Sequence, residues 1–310
     1  MGMGSVIVSR SDFRNQPGDT NNPSLKQRLV VSATTNGPSA AVAKGQNERL
    51  LELVDVTSKT KEVSTESPVI LNDPALAKSW GLLKSDAINA WKITQGSSDV
   101  VVAVIDTGVD IHHEDLDGSL WTNPGESGVV QTAACKALPE KVALARKDCN
   151  KATNGVDDDG NGFIDDVHGW NFVSNNSDLT DYHGHGTHIS GIVAAKAGNG
   201  KGIAGIAPNA KVMMLKYFDP KVPNTDNLKN TINAIHYAVA NGAKVINYSG
   251  GGIEFSADEK AAIEEARKKG ILFVAAAGNE RSNSDHHKYY PADYGLNNII
   301  SVTAINQQTE

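Results

Sequence analysis

The 310-residue sequence predicts an α/β fold built on a mainly parallel sheet. Three observations support this. Strand-like and helix-like stretches alternate from residue 73 to residue 305. Residues 100–105 are a nearly continuous β-branched run, which suits a strand buried on both faces beneath helices. Asp106, Ser249 and Asn279 each fall just past a strand end, where such sheets place their ligands.

Residues 1–70 are rich in Ser, Thr, Asn, Lys and Glu and read as a weakly ordered leader or small prosegment-like unit. Pro68 and the residues after it form a linker into the main domain, 71–310. Residues 73–95 predict two short helices anchored by Trp80, Leu82, Leu83, Ile88 and Trp91, with Gly96 as the breaker. After the 100–105 strand comes an excursion, 117–180, rich in Gly, Asn and Asp. A loop this long usually has a function or an organising ligand. A helix follows at about 185–197, then a strand at 211–217. Leu228, Ile232, Ile235 and Val239 share one face of the next helix, which Gly242 closes. A strand at 244–248 leads to a capping box, Ser256 with Glu259, opening a helix that ends at Gly270. Strands at 271–276 and 299–305 complete the pattern, and no internal repeat is present.

A net charge of -7 without a basic stripe argues against a nucleic-acid partner. No apolar run approaches the roughly 18 residues that span a bilayer, so no membrane partner is expected. No signal peptide is visible, which leaves a cytoplasmic protein, another export route, or a signal already removed. Cys135 and Cys149 read first as two free thiols; one local disulfide, suited to an exported protein, is the alternative.

Asp106 ends its strand either as a catalytic carboxylate or as an Asp bonding its own backbone. His185 lies among glycines at a helix start, where a neutral imidazole can act as a base; a surface or metal-bound histidine is the alternative. His183, His185 and His188 lack the glutamate of a His-Glu-x-x-His zinc motif. Asn279 can present its amide N–H to a developing oxyanion, or simply make a turn.

Taken together and in order, Val102-Ala-Val-Ile-Asp-Thr-Gly-Val-Asp110, His185-Gly-Thr-His188 and Ala275-Ala-Ala-Gly-Asn-Glu280 resemble the motifs of the subtilisin-like serine proteases. Ile203-Ala-Gly-Ile-Ala-Pro208 and Tyr290-Pro291 are similar too, so the resemblance covers about 72–305. It implies a three-layer α/β/α fold and a serine endopeptidase acting on protein or peptide substrates. Asp106 then orients the imidazole, His185 is the general base and Asn279 the oxyanion donor. Ser249, Gly250 and Gly251 would pair with an extended peptide, flanked by Ala276, Ala277 and Gly278. The family usually has leucine where Gly250 stands, so a more open or flexible S1 wall is expected. The glycines around His185 read as clearance for a peptide backbone. Secretion or the cell surface is the implied location.

The family's serine sits in a Gly-Thr-Ser-Met-Ala-like segment opening a core helix, and no such segment occurs here. Nor is there a Gly-x-Ser-x-Gly elbow; Ser282, Ser284 and Ser301 have the wrong setting. The expectation is the N-terminal part of a longer protease without its nucleophile helix. The alternatives are a separate chain that supplies the serine, or a serine-less, calcium-dependent peptide-binding protein. By itself the chain is expected to be inactive.

Asp157, Asp159 and Asn161 alternate as in the first half of an EF-hand loop, with Gly162 at the turn and the Phe163 carbonyl next. The twelfth position is His168 rather than Glu, so Asp165 or Asp166 would close the sphere. Such hard oxygen ligands favour Ca2+; a solvated acidic turn is the alternative. The resemblance implies a second Ca2+ site at Asp115 and the 198–203 loop, with Asn199 as its side-chain ligand.

Overall fold

The structure, a computed structural model, describes residues 72–281 and 283–308. The leader or prosegment-like reading of residues 1–70 lies outside them. Helices α1 (Trp80–Lys84) and α2 (Ala87–Ala90) precede β1 (Val101–Asp106). The excursion carries α3 (Ala133–Lys136), α4 (Glu140–Leu144) and β2 (Gly169–Asn171). Then follow α5 (His185–Ala194), β3 (Lys211–Lys216), α6 (Asn227–Ala240), β4 (Val245–Tyr248), α7 (Ala257–Lys268), β5 (Leu272–Ala276) and β6 (Ile299–Val302).

The six strands form one sheet in the order β2-β3-β1-β4-β5-β6. All five pairings are parallel. The run of β1 is apolar throughout because each face meets a different layer. Ala103 and Ile105 pack with α6 and α7 through Ala234, Ile235, Ala262 and Ile263. Val102 and Val104 pack on the other face with Ile189 of α5 and with Leu116, Leu120 and Leu179. A small satellite core joins Leu82, Ala87 and Trp91 to Ala204.

The α5 face is covered over only half its width. The register places Val245 and Asn247 of β4, Leu272 and Val274 of β5, and Ile300 of β6 on the same face as Val102 and Val104. Leu272 is 45% exposed and the others are half-buried. Among the described residues no helix lies over this part of the sheet. No helix is long and apolar enough to cross a membrane, again among the described residues.

Four expectations are corrected. Leu228 is exposed, and α6 turns Thr231, Ala234, Ile235 and Ala238 inward instead. These short side chains let the helix sit close to the sheet. Leu83, expected as an anchor, is 56% exposed. The capping box is half formed: Ser256 Oγ accepts from the Glu259 N–H at 3.2 Å. The buried Glu259 carboxylate instead accepts from the Tyr294 hydroxyl at 2.6 Å, and the Ser256 N–H donates to that same hydroxyl. Finally, Cys135 and Cys149 are not free thiols but a disulfide. With Ala143 they form the centre of a small separate core in the excursion. So few apolar side chains cannot hold a lobe alone, and a covalent staple supplies the rest.

Candidate active site and cation site

Strands β1, β4 and β5 deliver Asp106, Ser249 and Asn279 to the carboxyl end of the sheet because all three run parallel. Asp106 is the last residue of β1 and is 2% exposed. Its Oδ1 accepts from the Thr107 N–H at 2.7 Å. It also accepts at 2.7 Å from Nδ1 of His185, the first residue of α5. That hydrogen bond raises the His185 pKa above its ordinary value, against the opposing pull of burial, and the charges of Asp106 and Asp181 add to the rise. With Nδ1 donating to a carboxylate, the neutral ring carries its lone pair on Nε2. The His185 side chain is 41% exposed, so a substrate-side group can reach that nitrogen.

Gly186 decides how closely α5 approaches β1. A Cβ there would lie 2.1 Å from the Gly108 carbonyl oxygen and 3.2 Å from the Asp106 Cβ. The clearance at Gly186 therefore serves the β1 turn, whereas a Cβ at Gly184 would meet nothing within 4 Å. His188 is exposed, and the His183 ring stands edge-on to His185 at 6.1 Å.

Asn279 is exposed beyond β5, two strands from Asp106, roughly 10 Å across the sheet. Its backbone N–H donates to its neighbour, the Glu280 carboxylate, at 2.8 Å. Ser249 Oγ accepts from the Asn247 side chain at 3.0 Å. Past Ser249-Gly250-Gly251 the chain pairs antiparallel with Tyr290 through Gly252. Gly250 is not beside open space, contrary to expectation: a Cβ would meet the Tyr217 hydroxyl at 2.7 Å and the Tyr248 ring at 2.8 Å. The space beside Gly250 is thus filled by Tyr217 and Tyr248. Ala276, Ala277 and Gly278 are half-buried, and Ala277 N–H donates to the Val302 carbonyl at 2.8 Å. The Tyr289 ring lies 3.1 Å from where a Gly278 Cβ would stand.

In the excursion, Glu126, Asp157 and Asp159 each bring an oxygen within 4.8 Å of the others. Asp157 accepts from the N–H groups of Gly160, Asn161 and Gly162, and Asp159 from the Asn161 N–H. Asp166 lies beneath, fully buried, accepting from Asn123, Asn161 and the Tyr237 hydroxyl. Asn161 Oδ1 turns to the Phe163 N–H, and the Phe163 ring packs on Trp170 and Tyr237. Asp165 bonds Gly155 instead, and His168 is held on the Trp121 carbonyl.

Glu126 escaped the sequence reading. Its carboxylate is fully buried, Oε1 accepts from Asp158 and Asp159 N–H groups, and Oε2 has no partner. Burial raises the pKa of both Glu126 and Asp166. An orphaned buried carboxylate oxygen beside two further carboxylates fits a hard divalent cation. Only its place in a run of Asn123-Pro-Gly-Glu126 at the start of the excursion hinted at it.

At the second predicted cation site, Asp115 and Asn199 do meet, at 2.9 Å. Asp73 joins them, accepting from the N–H groups of Gly198 and Asn199. Both Asp115 side-chain oxygens already have donors, Asn199 Nδ2 and the Ile203 N–H, so nothing is orphaned here.

Residues 97–310 match the model of the subtilase family, peptidase S8. The chain belongs to the subtilase family. This subtilase is 34% identical over 218 residues to a thermophilic serine proteinase of Bacillus sp. strain AK1, covering 70% of the chain and 41% of that protein. It is 32% identical to thermitase of Thermoactinomyces vulgaris, covering 76% of the chain and 66% of thermitase. It is 28% identical to subtilisin-like protease 1 of Plasmodium berghei, covering 81% of the chain and 39% of that protein. Among solved structures it is similar to fervidolysin from Fervidobacterium pennivorans, a keratinolytic enzyme related to subtilisin. The TM-score is 0.51 at 25% identity, covering 80% of this chain and 32% of the other. The subtilase thus spans about two fifths of the Bacillus and Plasmodium relatives and 66% of thermitase.

Proposed function

We propose that this chain carries the Asp–His half of a subtilisin-type endopeptidase site, with Asp106 as orienting carboxylate and His185 as general base. The 2.7 Å bond from His185 Nδ1 to Asp106 carries the reading. Such a pair takes the proton of an attacking serine at Nε2 and returns it to the leaving amine. Asn279 stabilises the oxyanion, and Ser249, Gly250 and Gly251 bind an extended protein substrate as an added strand, with Ala276, Ala277 and Gly278 opposite. The serine comes from polypeptide outside these 310 residues. The face of β4–β6 supports this: Val245, Leu272, Val274 and Ile300 lie on it half-buried or exposed, and among the described residues no helix covers them.

Glu126, Asp157 and Asp159 hold Ca2+, with Asn161, the Phe163 carbonyl and Asp166 completing or backing the shell; the orphaned Glu126 oxygen supports this. The ion would stabilise the excursion, away from the proton transfers. Asp115 and Asn199 remain a second candidate on resemblance alone. The disulfide supports an oxidising, extracellular setting. A serine-less peptide-binding module is the competing reading.

Labelling with a fluorophosphonate probe separates the two. The chain alone should take up no label. The longer protein that includes downstream sequence should label at one serine and hydrolyse casein, and Asp106→Asn or His185→Ala should abolish both. Label on the chain alone, or none on the longer protein, would refute the proposal.

A further inference from the structure

We propose that Asp181 is the positioning residue of the His185 base, tying the first turn of α5 to the end of β1 through a single carboxylate. This rests on reading His185 as that base.

The helix needs such a tie. Its N-cap, Gly184, has no side chain to bond the open N–H groups of the first turn. Asp181 does so from outside for Thr187 and also holds the two residues that lead into the helix. Its Oδ1 accepts from the N–H groups of His183 at 3.0 Å and Gly184 at 2.8 Å. Its Oδ2 accepts from the Thr187 N–H at 2.9 Å and the Thr187 hydroxyl at 2.7 Å. The fifth bond reaches the other element: the Thr107 hydroxyl donates to Oδ1 at 2.8 Å. Thr107 Oγ1 in turn accepts from the Gly186 N–H at 3.0 Å. Thr107 adjoins Asp106 and Gly186 adjoins His185, so one carboxylate grips the neighbours of both partners.

The segment bearing Asp181 is itself anchored. Lys216, 1% exposed at the end of β3, donates to the Thr180 carbonyl at 2.7 Å and pairs with Asp219 at 2.7 Å. Val109 N–H donates to the Leu179 carbonyl at 2.8 Å. Burial opposes the Asp181 charge, but the hydrogen bonds from Thr187, Gly184 and Thr107 outweigh it and hold the carboxyl below its usual range. The anion also suits the helix N-terminus. Asp181 makes no contact with substrate in this scheme. Its effect passes through the placement of the imidazole and through its charge near the ring.

The test is imidazole NMR on the 15N-labelled chain. Wild type should show a low-field Nδ1–H signal for His185 and a raised His185 pKa. Asp181→Ala should lose or broaden that signal and lower the pKa, by less than Asp106→Asn does, with the amide spectrum of the rest of the sheet retained. Asp181→Asn, which keeps the shape but loses the charge and one acceptor, should fall between. If Asp181→Ala fails to fold, Asp181→Asn decides. An unchanged signal and pKa in the Asp181 variants, with both altered in Asp106→Asn, would overturn the inference and leave the base reading intact. No change in Asp106→Asn would instead sink the base reading and the inference with it.

Discussion

Replacing Gly186 by alanine sets two effects against each other. Helix propensity alone favours the change by about 1 kcal/mol. Packing opposes it: the new Cβ would stand 2.1 Å from the Gly108 carbonyl oxygen and 3.1 Å from the Gly108 nitrogen. Both are backbone atoms, so no rotamer change relieves the contact. The first turn of α5 must retreat by about an ångström, and overpacking of this kind costs about 1–3 kcal/mol. We expect packing to win, with a net loss of about 1–2 kcal/mol. Because His185 is the adjacent residue, its 2.7 Å bond to Asp106 lengthens too, beyond the roughly 3.2 Å limit of a good N–H···O bond. Urea unfolding measures the first effect, and the low-field His185 proton signal measures the second. A raised unfolding midpoint with that signal intact would show that α5 does not depend on this close approach.

Saturating Ca2+ at about a hundred times its Kd should add about 2.7 kcal/mol, or about 5–10 °C in Tm. A chelator should remove this, and Glu126→Gln should weaken Ca2+ binding while leaving the Asp106–His185 signal in place. Equal melting curves with and without chelator would disprove the cation site. Because the folded pKa of His185 is raised, the stability it contributes is full below the unfolded value of 6.5 and lost as pH rises through the folded value. The pH-dependent part of the wild-type advantage over Asp106→Asn should therefore be larger at about pH 6 than at about pH 9, as read by denaturant melts; the opposite slope would contradict the pair. The disulfide spans 14 residues, worth about 3 kcal/mol in the chain-entropy model. Substituting both cysteines by serine should speed proteolysis between residues 129 and 150 about a hundredfold without opening the sheet. An unchanged cleavage rate would show that the lobe holds by its own packing.

Much of this subtilase was legible before its structure. The strand positions follow from β-branched runs, and the observed ends differ by only a few residues. The short motifs around Asp106 and His185 mark the residues that the fold brings together. What failed depended on partners distant in sequence. Leu228 looks like a core residue by periodicity, yet α6 presents its alanines to the sheet. Glu259 fits a capping box, but Tyr294, 35 residues away, captures its carboxylate. Gly250 suggests open space until Tyr217 and Tyr248 are seen to fill it.

By itself, then, the sequence determined the order and type of the elements and the two-sided burial of β1. These are properties of local periodicity and composition. Only the tertiary structure decided that Asp106 and His185, 79 residues apart, lie within hydrogen-bond distance. It also decided that Glu126 joins Asp157 and Asp159, that the cysteines pair, and that Asp181 grips both sides of the site. Each of these contacts is set by sheet register and loop closure, which bring together groups that no local pattern couples.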